Sequence, residues 1–152
     1  MRKFLKITIA LALIAAMLCS TAMAATYGAK ILKPSSPVYN SAKQKVGTLK
    51  SGTSIKVTSM SGDWARITYD GNTLYAKLED IIFNKRIRAV SVKSSPIRFV
   101  TRESYRENTY YKATLSEGVT LYVVGLNGSE LLVTNESGSA LGYVKRSAVV
   151  KN

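Results

Sequence analysis

The chain has no histidine, one cysteine, three prolines and nine acidic residues in 152 positions. Each scarcity removes a class of chemistry. Nucleophilic catalysis of the Cys–His kind needs a thiol that a base can activate. The single thiol, Cys19, lies in an apolar N-terminal stretch, and no imidazole exists to act as base. A Ser–His–Asp triad fails for the same reason, and zinc wants Cys, His and carboxylate ligands. Without a second cysteine no disulfide can form within the chain, so the fold must rest on buried apolar surface. A glycosidase needs only two carboxylates. Here, however, the acids are scattered through turns and strand edges, as at Asp63, Asp70 and Glu136. The one adjacent pair, Glu79-Asp80, consists of sequence neighbours, which rarely point at one substrate. The residues point away from an enzyme, and neither a cofactor nor a metal is expected.

What is present begins with an export signal. Arg2, Lys3 and Lys6 precede an apolar run from Ile7 to Leu18, and small residues then end in Ala22-Met23-Ala24. This order is that of a secretory signal peptide over residues 1–24, cleaved after Ala24 so that the mature chain starts at Ala25. The apolar run falls short of the roughly 20 residues that span a bilayer. A retained anchor is one alternative and lipid attachment at Cys19 another, although bulky Leu18 stands where lipoprotein signals carry a small residue. Cleavage leaves 128 residues and no further stretch able to cross a membrane as a helix. Three of the 22 basic residues leave with the signal, so 19 remain against nine acids, a net +10. The expected location is extracellular or in the cell envelope.

The mature sequence alternates as strands do. Ile55, Val57 and Ser59 interleave with Lys56 and Thr58, and Ala65, Ile67 and Tyr69 with Trp64, Arg66 and Thr68. Asp70-Gly71 predicts a hairpin, because both residues tolerate positive φ. Thr73 to Ala76, Leu121 to Val124, Leu131 to Thr134 and Leu141 to Val144 read as further strands around glycine turns. Short strands at this spacing predict small all-β domains.

The two halves repeat each other. Lys33-Pro34-Ser35-Ser36-Pro37 parallels Lys93-Ser94-Ser95-Pro96, with the last prolines 59 apart. Thr48-Leu49 parallels Thr114-Leu115, and Gly62 parallels Gly128, both at 66. Tyr75-Ala76-Lys77 parallels Tyr143-Val144-Lys145 at 68. The growing offset locates an insertion in the second copy, near residues 101–111. Two tandem domains are expected, 25–84 and 85–152.

Each copy resembles a bacterial SH3-like domain, the small β-barrel of exported cell-envelope proteins. The resemblance rests on Val46-Gly47-Thr48-Leu49, Gly52-Thr53 and Gly62-Asp63-Trp64-Ala65-Arg66-Ile67 in the first copy. In the second it rests on Thr114-Leu115, Glu117-Gly118 and Gly142-Tyr143-Val144. Two departures stand out: Glu130 replaces Trp64, and Leu74-Tyr75 lacks the glycine of Gly142-Tyr143. Similar tandems often precede a papain-like peptidoglycan endopeptidase, whose Cys and His this sequence does not supply. The resemblance therefore implies binding in the cell envelope without catalysis.

Charge and aromatic residues supply the candidate site. Between Lys85 and Arg106 stand seven basic residues and one acid, Glu103. Such a field concentrates anionic partners. For an exported chain these are peptidoglycan or associated anionic polymers; no nucleic-acid motif is present. Arg98, Arg102 and Arg106 are the candidate electrostatic contacts. Tyr110 and Tyr111, at the end of the insertion, are candidate stacking residues. Trp64, Tyr75 and Tyr143 are candidates too, since such rings fit both binding surfaces and strand faces, and for Trp64 and Tyr143, at framework positions of the resemblance, packing is the favoured role. An alternative function is an adaptor or inhibitor that docks onto another envelope protein such as a cell-wall hydrolase.

Overall fold

A computed structural model describes residues 26–107 and 109–152, and of Arg102, Glu103 and Arg106 the backbone alone. The expected signal peptide, its cleavage site and Cys19 lie outside the described residues. The described chain is almost all β, in two units that divide between Lys85 and Arg86.

The first unit has seven strands: β1 (Tyr27–Ile31), β2 (Ser35–Tyr39), β3 (Lys45–Lys50), β4 (Ser54–Ser61), β5 (Trp64–Tyr69), β6 (Asn72–Lys77) and β7 (Ile81–Phe83). They form one antiparallel sheet in the order β3-β2-β6-β5-β4-β1-β7. The second unit repeats the plan with β8 (Ile87–Ser91), β9 (Ser95–Val100), β10 (Tyr111–Leu115), β11 (Thr120–Asn127), β12 (Glu130–Thr134), β13 (Leu141–Lys145) and β14 (Val149–Lys151). Its order, β10-β9-β13-β12-β11-β8-β14, is the same strand for strand. A 3-10 turn precedes the last strand of each, at Leu78–Asp80 and Arg146–Ala148. A bulge also recurs, between Val57 and Ser59 in β4 and between Val123 and Gly125 in β11. An extra residue bends the strand there and lets a short sheet curl.

The alternation read from the sequence becomes the inside and outside of the first sheet. Ile55, Val57, Ala65, Ile67 and Ala76 are buried, joined by Ile31, Val38, Ile81 and Phe83. Leu121, Val123, Leu131, Val133 and Val144 take the same places in the second unit. The Asp70-Gly71 hairpin forms with φ of 48° and 74°, the backbone that predicted it.

The units differ most between their second and third strands. In the first, five residues (40–44) suffice. In the second, residues 101–110 intervene and carry a helix, α1 (Arg102–Glu107). Thr101 caps it: its Oγ1 accepts from the Ser104 backbone N–H at 3.2 Å, and Ser104 Oγ accepts from the Thr101 N–H at 3.1 Å. This is a capping box in which Ser replaces the usual Glu or Gln. Among the described residues no helix is long and apolar enough to cross a membrane.

Candidate functional site

The outer face of the first unit gathers three aromatic rings. Along β5, Trp64 and Arg66 point the same way, since side chains two apart share a face. Arg66 lies opposite Tyr75 of β6, and Tyr75 lies opposite Tyr39 of β2. The Tyr39 and Trp64 rings meet edge to face, with centroids 5.0 Å apart and planes at 87°. Ring quadrupoles favour that geometry. All three rings are half-buried, so Trp64 flanks the core rather than filling it.

Two lysines stand over these rings. Lys77 pairs with Trp64 in the β5–β6 register, and its Nζ lies 3.9 Å from the indole centroid. Lys43 comes from the β2–β3 loop, which Asn40 and Gln44 staple. The Asn40 N–H donates to the Gln44 carbonyl, and the Gln44 N–H donates to Asn40 Oδ1, both at 3.0 Å. Inside that loop Lys43 adopts φ 61°, which brings its Nζ 4.4 Å from the Trp64 centroid and 3.6 Å from that of Tyr75. Among the described residues neither lysine forms an ion pair. The face therefore combines flat apolar area with two positive charges outside any ion pair of the described residues.

A buried ion pair anchors the end of β6 next to Lys77. Asp80 is 3 % exposed, and its Oδ1 lies 2.6 Å from Lys33 Nζ, which also reaches Glu79 at 3.2 Å. Burial pushes the Asp80 carboxyl above the usual carboxylate range, against the pull of Lys33. Burial works against the Lys33 charge as well, but the hydrogen bond and charge of Asp80 raise its pKa above the ordinary value. The two directions are compatible, because Asp80 is the more deeply enclosed partner.

The second unit brings Arg98, Tyr110 and Tyr143 together. The Arg98 guanidinium carbon lies 5.0 Å from the Tyr110 centroid and 5.4 Å from that of Tyr143. The same guanidinium is ion-paired with Glu130. Arg98 is thus not the open cation that charge density along the sequence suggests. Tyr143 is 3 % exposed, and its hydroxyl lies 3.5 Å from that of Tyr105. Tyr110, in the loop before β10, is half-buried, and Tyr111, the first residue of β10, is 78 % exposed. Both line a groove of about 570 Å³ with Thr101, Ser104, Glu107 and Thr109. Arg102 and Arg106 lie on α1, and their side chains are outside the description.

Of the residues expected from the sequence, Trp64 and Tyr75 therefore share one face, and Arg98, Tyr110 and Tyr143 another. Tyr39, Lys43 and Lys77 belong to the first face and were missed. Lys77 could have been found, since it closes the repeated Tyr-x-Lys triplet. Lys43 could not, since its place depends on a left-handed backbone within a five-residue loop.

Residues 40–81, which run from this loop through β6, match the bacterial SH3 domain family. No curated protein matches the sequence. Among solved structures the chain is similar to NlpC2 from Trichomonas vaginalis, at 9 % identity and a TM-score of 0.37, over 86 % of this chain and 50 % of that one. It is also similar to NlpC1 from Trichomonas vaginalis, at 11 % identity and a TM-score of 0.37, over 86 % of this chain and 47 % of that one. The chain spans about half the length of these two structures. The match falls within the first unit, and Lys43, Trp64, Tyr75 and Lys77 all lie inside it.

Proposed function

We propose that this is an exported, non-catalytic module of the cell envelope that binds peptidoglycan through the outer face of its first unit. The supporting observation is the pair of lysines, Lys43 and Lys77, over Trp64 and Tyr75, neither of them in an ion pair among the described residues. Peptidoglycan offers the complementary chemistry, peptide carboxylates beside the flat apolar faces of sugars. An ammonium over a ring gains about 0.5–1 kcal/mol at an exposed site. Hydrogen bonds to an ionised partner contribute about 1.5–3 kcal/mol, so a carboxylate adds to what the rings supply. The net +10 of the mature chain attracts the polymer from a distance and raises its local concentration. The absence of histidine and of any thiol beyond Cys19 supports binding without turnover.

The test is cosedimentation of the mature protein with purified peptidoglycan. Wild type is expected in the pellet at low salt, and Lys43→Ser/Lys77→Ser in the supernatant. Wild type that stays in the supernatant with pure peptidoglycan overturns the proposal and turns attention to an envelope protein as the partner.

A further inference from the structure

The two units share strand order and register, so their outer faces can be compared position by position. Tyr39 and Arg98 each stand two residues beyond the repeated proline, and each pairs with the tyrosine of the following sheet neighbour, Tyr75 or Tyr143. Trp64 and Glu130 each open their strand, opposite Lys77 and Lys145. Arg66 and Leu132 lie opposite those same tyrosines. The edge-to-face pair Tyr39–Trp64 thus becomes, in the second unit, the ion pair Arg98–Glu130. The exposed Arg66 becomes Leu132, which is 1 % exposed, and the half-buried Tyr75 becomes Tyr143, which is 3 % exposed.

We infer that the second unit has closed, with its own residues, the face that the first unit leaves open, so that the chain carries one such platform and not two. Arg98 covers Tyr143 as Lys43 covers Tyr75, but its charge is already satisfied by Glu130. The inserted segment completes the closure. Tyr110 lies against Arg98, and the Tyr105 hydroxyl lies by that of Tyr143. An anionic ligand arriving there meets Glu130 where the first unit offers an indole. To take Arg98 it must break the ion pair and then sit beside a freed carboxylate, an unfavourable like-charge contact. Arg98 and Glu130 are therefore specificity-determining residues that act by exclusion. The groove lined by Tyr110 and Tyr111 adjoins this face through Tyr110, but neither Glu130 nor Tyr143 lines it.

The closure is independent of any ligand; the number of ligands per chain rests on the proposed function. Nitration of the full mature chain with tetranitromethane, read by peptide mass spectrometry, tests the closure. Tyr143 is expected to react at least about tenfold more slowly than exposed Tyr111 and Tyr69, because modification must await a local opening. Tyr75 is expected to react within a few-fold of Tyr69. In Arg98→Ala/Glu130→Ala, Tyr143 is expected to approach the Tyr75 rate. Equal rates for Tyr143 and Tyr75 in the wild type overturn the inference, whatever the protein binds. Calorimetric titration with a soluble peptidoglycan fragment supplies the second readout. One fragment per chain, lost in Trp64→Ala, is expected. Two per chain, or half the sites surviving Trp64→Ala, overturns the inference. A wild type that binds none overturns the proposed function, and nitration still decides the closure.

Discussion

Lys43 holds the left-handed backbone region with φ 61°, at a cost of about 1–2 kcal/mol for a residue with a Cβ. Its ammonium recovers part of that over Trp64 and Tyr75. Lys43→Gly removes the strain and the cation together. Its stability is expected to stay within about 1 kcal/mol of wild type, while peptidoglycan retention falls. Urea midpoints and cosedimentation measure the two effects separately. Trp64→Ala removes the edge-to-face contact with Tyr39, worth about 0.5–1.5 kcal/mol, along with half-buried ring area. A loss of about 2 kcal/mol is expected, below the 3–5 kcal/mol of a fully buried aromatic ring. A loss above about 4 kcal/mol in chemical denaturation would assign the indole to the core after all. At this scale the sequence marked Trp64 and Tyr75 as candidates but left their partners open. Tyr39 reaches Trp64 only across β6, a contact between residues 25 positions apart.

The elements were far more legible than the site. Period-two patterns at residues 55–59 and 64–69 reappear as β4 and β5, because one buried face imposes alternation, and the apolar run 131–134 reappears as β12, buried on both faces. The Asp70-Gly71 turn was readable because its chemistry is local. β1, β7, β8 and β14 carried weaker signals, being short strands whose pairing partners lie far along the chain. Helix α1 escaped notice because its capping box has Ser104 where the usual pattern has an acid or amide. Gly142 shows how a family motif becomes sterics. A Cβ there would stand 2.8 Å from Ile97 and 3.2 Å from the Arg98 carbonyl oxygen. Gly142→Ala is expected to destabilise the second unit by about 1–3 kcal/mol, as overpacking does, seen as a lower urea midpoint. Lys33→Ala leaves Asp80 buried without its partner. At neutral pH the expected loss is about 3 kcal/mol. Because the Asp80 pKa is raised on folding, the native state holds its proton more tightly, and stability of the variant rises as pH falls through that raised value. Lys33 lowers the Asp80 pKa in the wild type, so its removal raises that pKa further, and the deficit against wild type shrinks as pH falls. Lys33 itself also has a raised pKa, so its contribution in the wild type persists through neutral pH and is lost only in alkali, as pH passes its folded value. Denaturation curves at several pH values check both signs.

The molecule as a whole duplicates a fold without duplicating its surface. Identical strand order and a bulge at the same register mark two copies of one plan. Their outer faces differ through Tyr39 and Arg98, Trp64 and Glu130. Internal repetition revealed the first fact from the sequence, since prolines and glycines recur at nearly constant offsets. The second depends on which residues meet across strands, which no offset displays. The richest basic segment, Lys85 to Arg106, includes an Arg98 that is paired with Glu130, while Lys43 and Lys77 of the first unit stand over aromatic rings with no ion pair among the described residues. The single tryptophan makes the central claim directly measurable, because all indole emission comes from the proposed platform. The measurement is Trp64 fluorescence of the mature chain during titration with a soluble peptidoglycan fragment, at low salt and at about 1 M salt, where screening acts within about 3 Å. The account predicts a saturable change in emission that weakens steeply with salt and disappears in Lys43→Ser/Lys77→Ser. Unchanged emission while the fragment binds elsewhere on the chain, or binding indifferent to both salt and the two lysines, contradicts it.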